Sequence, residues 1–154
     1  NRHNNNNNND NSNIEIKNDE THDDRAFKNY FMNTFKFKKS SAIYYDKLVE
    51  NELNDIDTLI LMELDDLNEY NIISNTLHKK RFIKMINNIK TERNNFIAAL
   101  KDIHKGHLIE LFDNKGIYTM DEYRKHCKTV NDINRMINNI SDAKQIFAKL
   151  SNTA

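Results

Sequence analysis

Apolar residues between positions 44 and 89 recur at gaps of three and four, and this spacing constrains the fold more than any other feature. Such gaps place apolar side chains on one face of an α-helix. The pattern predicts several short helices that each bury one face, followed by a longer basic helix. The apolar positions are Tyr44, Leu48, Leu53, Ile56, Leu59, Ile60, Met62, Leu67, Tyr70, Ile72, Phe82, Ile83, Ile86 and Ile89. The sequence therefore predicts an all-α protein.

The same pattern returns in the second half of the chain at a period of about 63 residues, which is typical of tandem units. We predict one unit at 24–91 and a second, more divergent unit at 92–154. The segment 89–95 contains neither Gly nor Pro, so we expect the last helix of the first unit to run almost directly into the second and fix their orientation. The second set of apolar residues is Phe96, Ala99, Leu100, Ile103, Leu108, Phe112, Ile117, Met120, Tyr123, Cys127, Ile133, Met136, Ile137, Ile146, Phe147 and Leu150.

Short polar side chains mark the expected helix starts. Asp24 is placed to cap the first helix, which would carry the aromatic residues of positions 27–35. Ser40 or Ser41 is the expected cap of the next helix. Ser141 and Asp142 precede the last apolar group and resemble a third cap.

The first 23 residues differ in composition from the rest of the chain. Ile14 and Ile16 are their only aliphatic residues among Asn, Asp, Ser and charged side chains. Such a segment buries too little apolar area to offset its ordering entropy, so 1–23 is expected to be a disordered Asn-rich leader. Asn accounts for 27 of the 154 residues, which resembles proteins of AT-rich malaria-parasite genomes. Because the chain opens on Asn1 rather than Met, we interpret it as a segment of a larger protein.

Composition limits the environment and the partners. Lys plus Arg equals Asp plus Glu, at 23 each, so no overall charge calls for nucleic acid or a membrane surface. There is no apolar run of bilayer length and no apolar signal-peptide core. The single cysteine, Cys127, excludes an intramolecular disulfide and is compatible with a reducing compartment. We expect a soluble cytoplasmic protein, with Cys127 as a buried small hydrophobe.

Catalytic and metal-binding patterns are weak. His104 and His107 could share a helix face as metal ligands, with Glu110, His126 and Cys127 completing a set, but no other Cys or paired His lies close by. The neighbouring acids at 65 and 66 would need a pocket to act as a general acid and base. Gly106 and Gly116 form no phosphate-binding loop and are expected in turns. We predict no enzyme activity, no metal and no cofactor.

Charge is distributed unevenly along the first unit. Eight acidic residues and no base lie between positions 50 and 69, whereas six bases and one acid lie between 78 and 93. We therefore expect an acidic surface and a basic surface on this unit. The candidate acidic residues are Asp55, Asp57, Asp65, Asp66 and Glu69. The candidate basic residues are His78, Lys79, Lys80, Arg81 and Lys84.

Three segments carry a resemblance to a known family. They are Leu53-x-x-Ile56-x-x-Leu59-Ile60, then Asp66-Leu67-x-x-Tyr70-Asn71-Ile72, and the helix start at 78–81. Together with 111–117 in the second unit, they resemble the sterile alpha motif (SAM) domain, over roughly 25–152. The resemblance implies two small five-helix bundles in tandem. It also implies a non-catalytic scaffold that self-associates or pairs with another SAM protein, the acidic middle surface of one domain meeting the basic last helix of the next.

Other interpretations stay open. A minority of SAM domains bind RNA hairpins, and the basic helix start with Lys36, Lys38 and Lys39 could hold phosphates while Phe35 and Phe37 stack on bases. The acidic surface could instead face Arg124 and Lys125 of the second unit, either within one chain or between chains. The chain could also be a helical spacer without partners.

Overall fold

The computed structural model describes residues 22–151, with side chains from Asp24 onward. Residues 1–21, most of the expected disordered leader, lie outside this range. Within it the protein is all-α, as the apolar spacing predicts. The α-helices are α1 (His22–Thr34), α2 (Ser40–Glu50), α3 (Ile56–Leu59), α4 (Leu64–Glu69), α5 (Thr76–Asp102), α6 (Ile109–Asn114), α7 (Met120–His126), α8 (Val130–Ile137) and α9 (Ile140–Ser151), with a 3-10 helix at Gly106–Leu108.

The first hydrophobic core lies among α1 to α4 and the first part of α5, and it is rich in aromatic rings. Phe35 lies between two of these rings, with centroid distances of 4.6 Å to Phe31 and 4.8 Å to Phe82. All three side chains are fully buried. In a chain without Trp, Phe and Tyr supply most of the apolar area that this small core removes from water.

The second core is built from the end of α5 and from α6 to α9. Phe96 of α5 meets Phe112 of α6 edge to face at 5.6 Å. The other fully or nearly fully buried members include most apolar positions predicted for this half: Leu100, Ile117, Met120, Tyr123, Cys127, Ile133, Ile146 and Leu150. The predicted apolar faces of both halves are thereby largely confirmed. Tyr70 is an exception, because it is partly exposed at the end of α4.

Helix α5 passes through both cores without interruption. Its buried residues alternate at gaps of four and three along 27 residues. Ile89 is the last of them in the first core, and Phe96 is the first in the second. The expectation that the helix continues from one half into the other is confirmed, and the proposed boundary after residue 91 falls inside it.

Arg93 occupies the position of α5 between the two cores. Its charge groups it with the six bases of 78–93, yet its side chain is only 2% exposed. The guanidinium donates two hydrogen bonds to Asp113 of α6, at 2.9 and 2.8 Å, and a third to the Tyr118 carbonyl at 3.1 Å. It also donates to Asp57 of α3 at 3.3 Å. One buried cation therefore ties the two halves together.

Tyr118 also links the halves, because it belongs to the second half of the chain and packs in the first core. Although it follows α6, its ring packs in the first core, 4.8 Å from Tyr30 and 6.1 Å from Phe27, edge to face in both cases. The turn between α6 and Tyr118 contains Gly116, whose φ of +77° is in the left-handed region that favours glycine. A Cβ on Gly116 would lie 3.5 Å from the Cβ of Ala26 on α1. The two halves thus pack directly on each other.

Helix starts differ from those expected. Since α1 begins at His22, Asp24 lies inside its first turn. Helix α2 has no side-chain cap; Ser41 is instead buried, accepting from the Phe37 amide and donating to the Phe35 carbonyl, both at 2.6 Å. Helix α9 begins at Ile140, where the Asn139 side chain accepts from the Asp142 amide at 3.0 Å. These polar groups stabilise turns as well as helix ends.

Candidate interaction surfaces

The acidic surface is formed by the α3–α4 region. Two of its carboxylates accept hydrogen bonds from nearby backbone amides. The Asp55 carboxylate accepts from the Thr58 amide at 3.0 Å and caps α3. Asp66 accepts from the Glu63 amide at 2.8 Å in the capping box of α4. Carboxylates at helix starts satisfy amides that have no helical partner and complement the helix dipole. These two candidates therefore have a structural role besides any interaction.

Asp57 is the third acid with an internal partner. Its side chain is 73% exposed, yet one carboxylate oxygen lies 3.3 Å from the Arg93 guanidinium. Part of its charge is therefore offset inside the chain. Asp65 and Glu69, by contrast, are exposed on α4 and face solvent. We regard them as the acidic residues best placed to meet a partner.

Two leucines, which the sequence did not single out, lie within this acidic surface. Leu61 is 69% exposed and Leu64 is 44% exposed, on either side of the buried Met62. Both are absent from the apolar helical stripe, and this departure from the period is the signal that could have identified them. An exposed leucine is common by itself, but two within four residues, among a cluster of acids, give this acidic surface apolar area as well as charge.

The basic surface is formed by the start of α5, where His78 and Lys79 are held against the first half. The hydroxyl of Tyr44 lies 2.6 Å from Nδ1 of His78, whose ring also packs 4.8 Å from Phe37. The Lys79 ammonium donates to the side chain of Asn68 on α4. Both residues are half-buried, so they position the helix start and present little free surface.

The outer side of the same turn is formed by residues at gaps of three and four. Leu77 is 70% exposed, and Lys80, Arg81 and Lys84 follow it on the solvent face. The Arg81 guanidinium lies 4.5 Å from the Phe37 ring centre and donates to the Lys36 carbonyl at 3.3 Å. The basic surface thus contains an exposed leucine, as the acidic surface contains two.

The structure contradicts the expectation that Phe35 and Phe37 stack on RNA bases. Phe35 is fully buried, and Phe37 is buried beneath Arg81. Neither ring can stack on a base, although both were the expected stacking groups. The remaining basis for RNA binding is charge alone.

Arg124 and Lys125 lie exposed in the last turn of α7. The Lys125 ammonium is 3.2 Å from Asp121, one turn earlier on the same helix. Among the ion pairs of residues 24–151, none joins Arg124 or Lys125 to Asp65 or Asp66. In the part of the chain that the structure describes, the two surfaces are thus not joined by these ion pairs.

Cys127 lies in the second core, as expected of a small hydrophobe, and burial raises the pKa of its thiol to about 12. A thiol in that environment stays protonated at neutral pH and is a poor nucleophile or metal ligand. In residues 24–151, no group of three His, Cys, Asp or Glu side chains is arranged to hold a metal ion.

None of the described helices is both long enough and apolar enough to cross a lipid bilayer.

Comparison with known proteins finds no matching family model, no matching curated protein and no matching solved structure.

Proposed function

We propose that this chain is a non-catalytic association module whose copies join head to tail through the α3–α4 surface and the start of α5. One observation carries the proposal. Among the side chains of residues 24–151, the two most exposed large apolar ones, Leu61 and Leu77, lie one in each of two oppositely charged surfaces. The partner that fits both surfaces best is a second copy of this chain.

Charge and apolar contact have different roles in such an interface. The acids around Leu61 and the bases around Leu77 steer two copies together and set their register. The leucines supply the apolar area that leaves water, at about 25 cal/mol per Å². Each exposed ion pair adds at most about 1 kcal/mol and is screened by salt. Association is therefore modest in strength and weaker at high salt.

The contact is heterologous, because each copy uses two different surfaces. Such contacts close into a ring or continue as a filament. The order of short helices followed by a long one, together with the three sequence segments quoted above, supports the SAM resemblance, in which this mode of assembly is characteristic. In a larger protein the segment would act as a scaffold, pairing with itself or with another SAM protein.

A mixing experiment tests the proposal. Leu61→Arg places a positive charge on the acidic surface, and Leu77→Glu places a negative charge on the basic surface. Each variant alone should be monomeric, since one of its two surfaces is blocked. An equimolar mixture should form a one-to-one dimer through the two intact surfaces, measured by light scattering after size exclusion.

Ile140→Glu is the matched control, because Ile140 is an exposed apolar residue on α9, a helix that belongs to neither surface. This variant should associate as the parent does. Two monomeric variants that stay monomeric when mixed, or an Ile140 variant that also loses association, would contradict the head-to-tail assignment.

A further inference from the structure

The short loop between α1 and α2 carries three lysines, Lys36, Lys38 and Lys39, which belong to neither of the two surfaces used in the head-to-tail contact. All three side chains are exposed. Among the ion pairs between residues in the described range, none involves these lysines. The loop therefore presents positive charge to solvent that an anionic partner can meet.

Arg81 joins this loop to the start of α5. Its guanidinium lies 4.5 Å from the Phe37 ring centre and donates to the Lys36 carbonyl at 3.3 Å. The Phe37 ring also packs 4.8 Å from the ring of His78, in the first turn of α5. The loop lysines therefore lie beside the basic surface, and the two form one continuous region of positive charge.

The loop is held in one conformation by buried groups. The Ser41 hydroxyl, which is buried, accepts from the Phe37 amide and donates to the Phe35 carbonyl, both at 2.6 Å. The Phe37 ring is buried as well and packs edge to face on Tyr44 at 5.5 Å. A loop that is ordered before a partner arrives loses little conformational entropy on binding.

Lys38 has a backbone conformation that is unfavourable for lysine. Its φ of +56° is in the left-handed region, which Asn tolerates better than Lys does. Asn71 and Asn138 occupy the same region elsewhere in the chain. Asn would therefore fit position 38 with less strain, so lysine there adds a charge at some cost in stability.

The acidic surface of a second copy is the partner that fits this loop best. Asp65 and Glu69 are exposed on that surface and have the opposite charge. The loop lies beside the start of α5, which the same surface contacts in the head-to-tail arrangement. Phe35 and Phe37 are buried, so the loop offers charge but no aromatic ring on which a nucleic-acid base could stack.

We propose that the three loop lysines extend the basic surface and bind the acidic surface of a second copy. The role of the loop rests on the head-to-tail contact proposed above. Opposite charges across an exposed interface steer the encounter of the two copies and fix their register, and salt screens them.

Calorimetric titration of the Leu61→Arg variant with the Leu77→Glu variant tests the loop, because the two variants share a single productive interface. Leu61→Arg supplies the basic surface of that interface. Lys36→Gln, Lys38→Asn and Lys39→Gln are therefore combined in it. At low salt the affinity should fall about tenfold, since three weak ion pairs are lost together. The remaining affinity should also depend less steeply on salt.

The matched control carries the same three loop substitutions in the Leu77→Glu variant, whose basic surface is blocked. Its affinity for Leu61→Arg should stay within about twofold of the starting pair, because its loop lies outside the productive interface. Thermal melts should show that the loop variant folds as stably as its parent, since Asn relieves the strain at position 38.

The possible outcomes separate the two proposals. No dimer in the mixture of the two leucine variants would contradict the head-to-tail contact, and the role of the loop with it. A dimer whose affinity is unchanged by the loop substitutions, or falls equally in both partners, would keep that contact and overturn the role of the loop. An unchanged dimer together with weaker binding of a single-stranded RNA oligomer would assign the loop to RNA instead.

Discussion

At the scale of single residues, the buried guanidinium of Arg93 bonds groups from both halves of the chain, Asp57 in the first and Asp113 in the second. Asp57 and Asp113 lie 36 and 20 residues away from it along the chain, so no local sequence pattern predicts these partners. The sequence places it among the bases of 78–93, and charge alone therefore predicts an exposed side chain. Its position does continue the gaps of four and three set by Ile86 and Ile89. The apolar period, applied to a charged residue, would have placed Arg93 in the interior.

Replacing Arg93 by Met should lower the free energy of unfolding by about 3 kcal/mol, because it leaves the Asp113 carboxylate half-buried without its cation. Urea unfolding followed by circular dichroism measures the change. Lys90→Met is the matched control, one turn earlier on the exposed side of α5. It should change stability by less than about 0.5 kcal/mol. Equal effects of the two substitutions would contradict the structural role of Arg93.

Glu122 provides a pH-dependent prediction. Burial raises the pKa of its carboxyl above the ordinary value of 4.5, although hydrogen bonds from Thr119 and Tyr118 oppose the shift. The folded state therefore binds the proton more tightly than the unfolded state. Deprotonation of Glu122 therefore lowers the free energy of unfolding as pH rises from 4.5 through the pKa of this group in the folded state.

Glu122→Gln removes this titration while keeping the shape of the side chain. The variant should gain stability relative to the parent at pH 7, and this advantage should shrink toward pH 4.5, in urea unfolding at both values. A difference between the two proteins that does not depend on pH would contradict the raised pKa.

At the scale of helices, apolar spacing predicts that a helix is present more reliably than it predicts the residue at which the helix begins. Both sets of helical faces follow from the gaps of three and four, and the continuity of α5 follows from the missing Gly and Pro. Caps are harder to place, because Ser, Asp and Asn serve equally well in turns. Ser41 bonds the preceding loop, and Asn139 caps the helix expected to start at Ser141. The choice among neighbouring polar residues depends on the path of the backbone.

The turn after α6 depends on Gly116 in the same way. Gly116→Ala should destabilise the protein by more than about 1 kcal/mol, because φ is positive and the turn packs on α1. Gly106→Ala is the matched control. Its φ is not in the left-handed region, and the new methyl meets only Lys101, an exposed side chain that can move. Thermal melts should therefore show a much smaller loss for Gly106→Ala, and an equal loss at both positions would contradict the assigned turn.

At the scale of the whole molecule, the repeat predicts two units and the segment 89–95 predicts the helix that joins them, but neither predicts the side-chain contacts between the two halves. The recurring apolar pattern corresponds to the two cores. The insertion of Tyr118 into the first core and the bonds of Arg93 are specific to this pair of halves, and a repeat carries no information about them. They make the two cores one mechanical unit, which fixes the angle between any surfaces that the halves present.

Because the halves share α5 and Tyr118, they should unfold together in a single transition. Tyr118→Ala removes a buried ring and should cost about 3–5 kcal/mol. It should also separate the transitions of the two halves, seen by amide hydrogen exchange at Phe31 and Phe112. Two separate transitions in the parent protein would contradict the coupling.

The central claim is that copies of this chain associate through oppositely charged surfaces that each contain an exposed leucine. Light scattering after size exclusion, over a range of concentrations at low and high salt, tests it most directly. We predict a mass that grows with concentration at low salt and falls toward the monomer at high salt. A mass equal to one chain at every concentration and in both salts would contradict the claim.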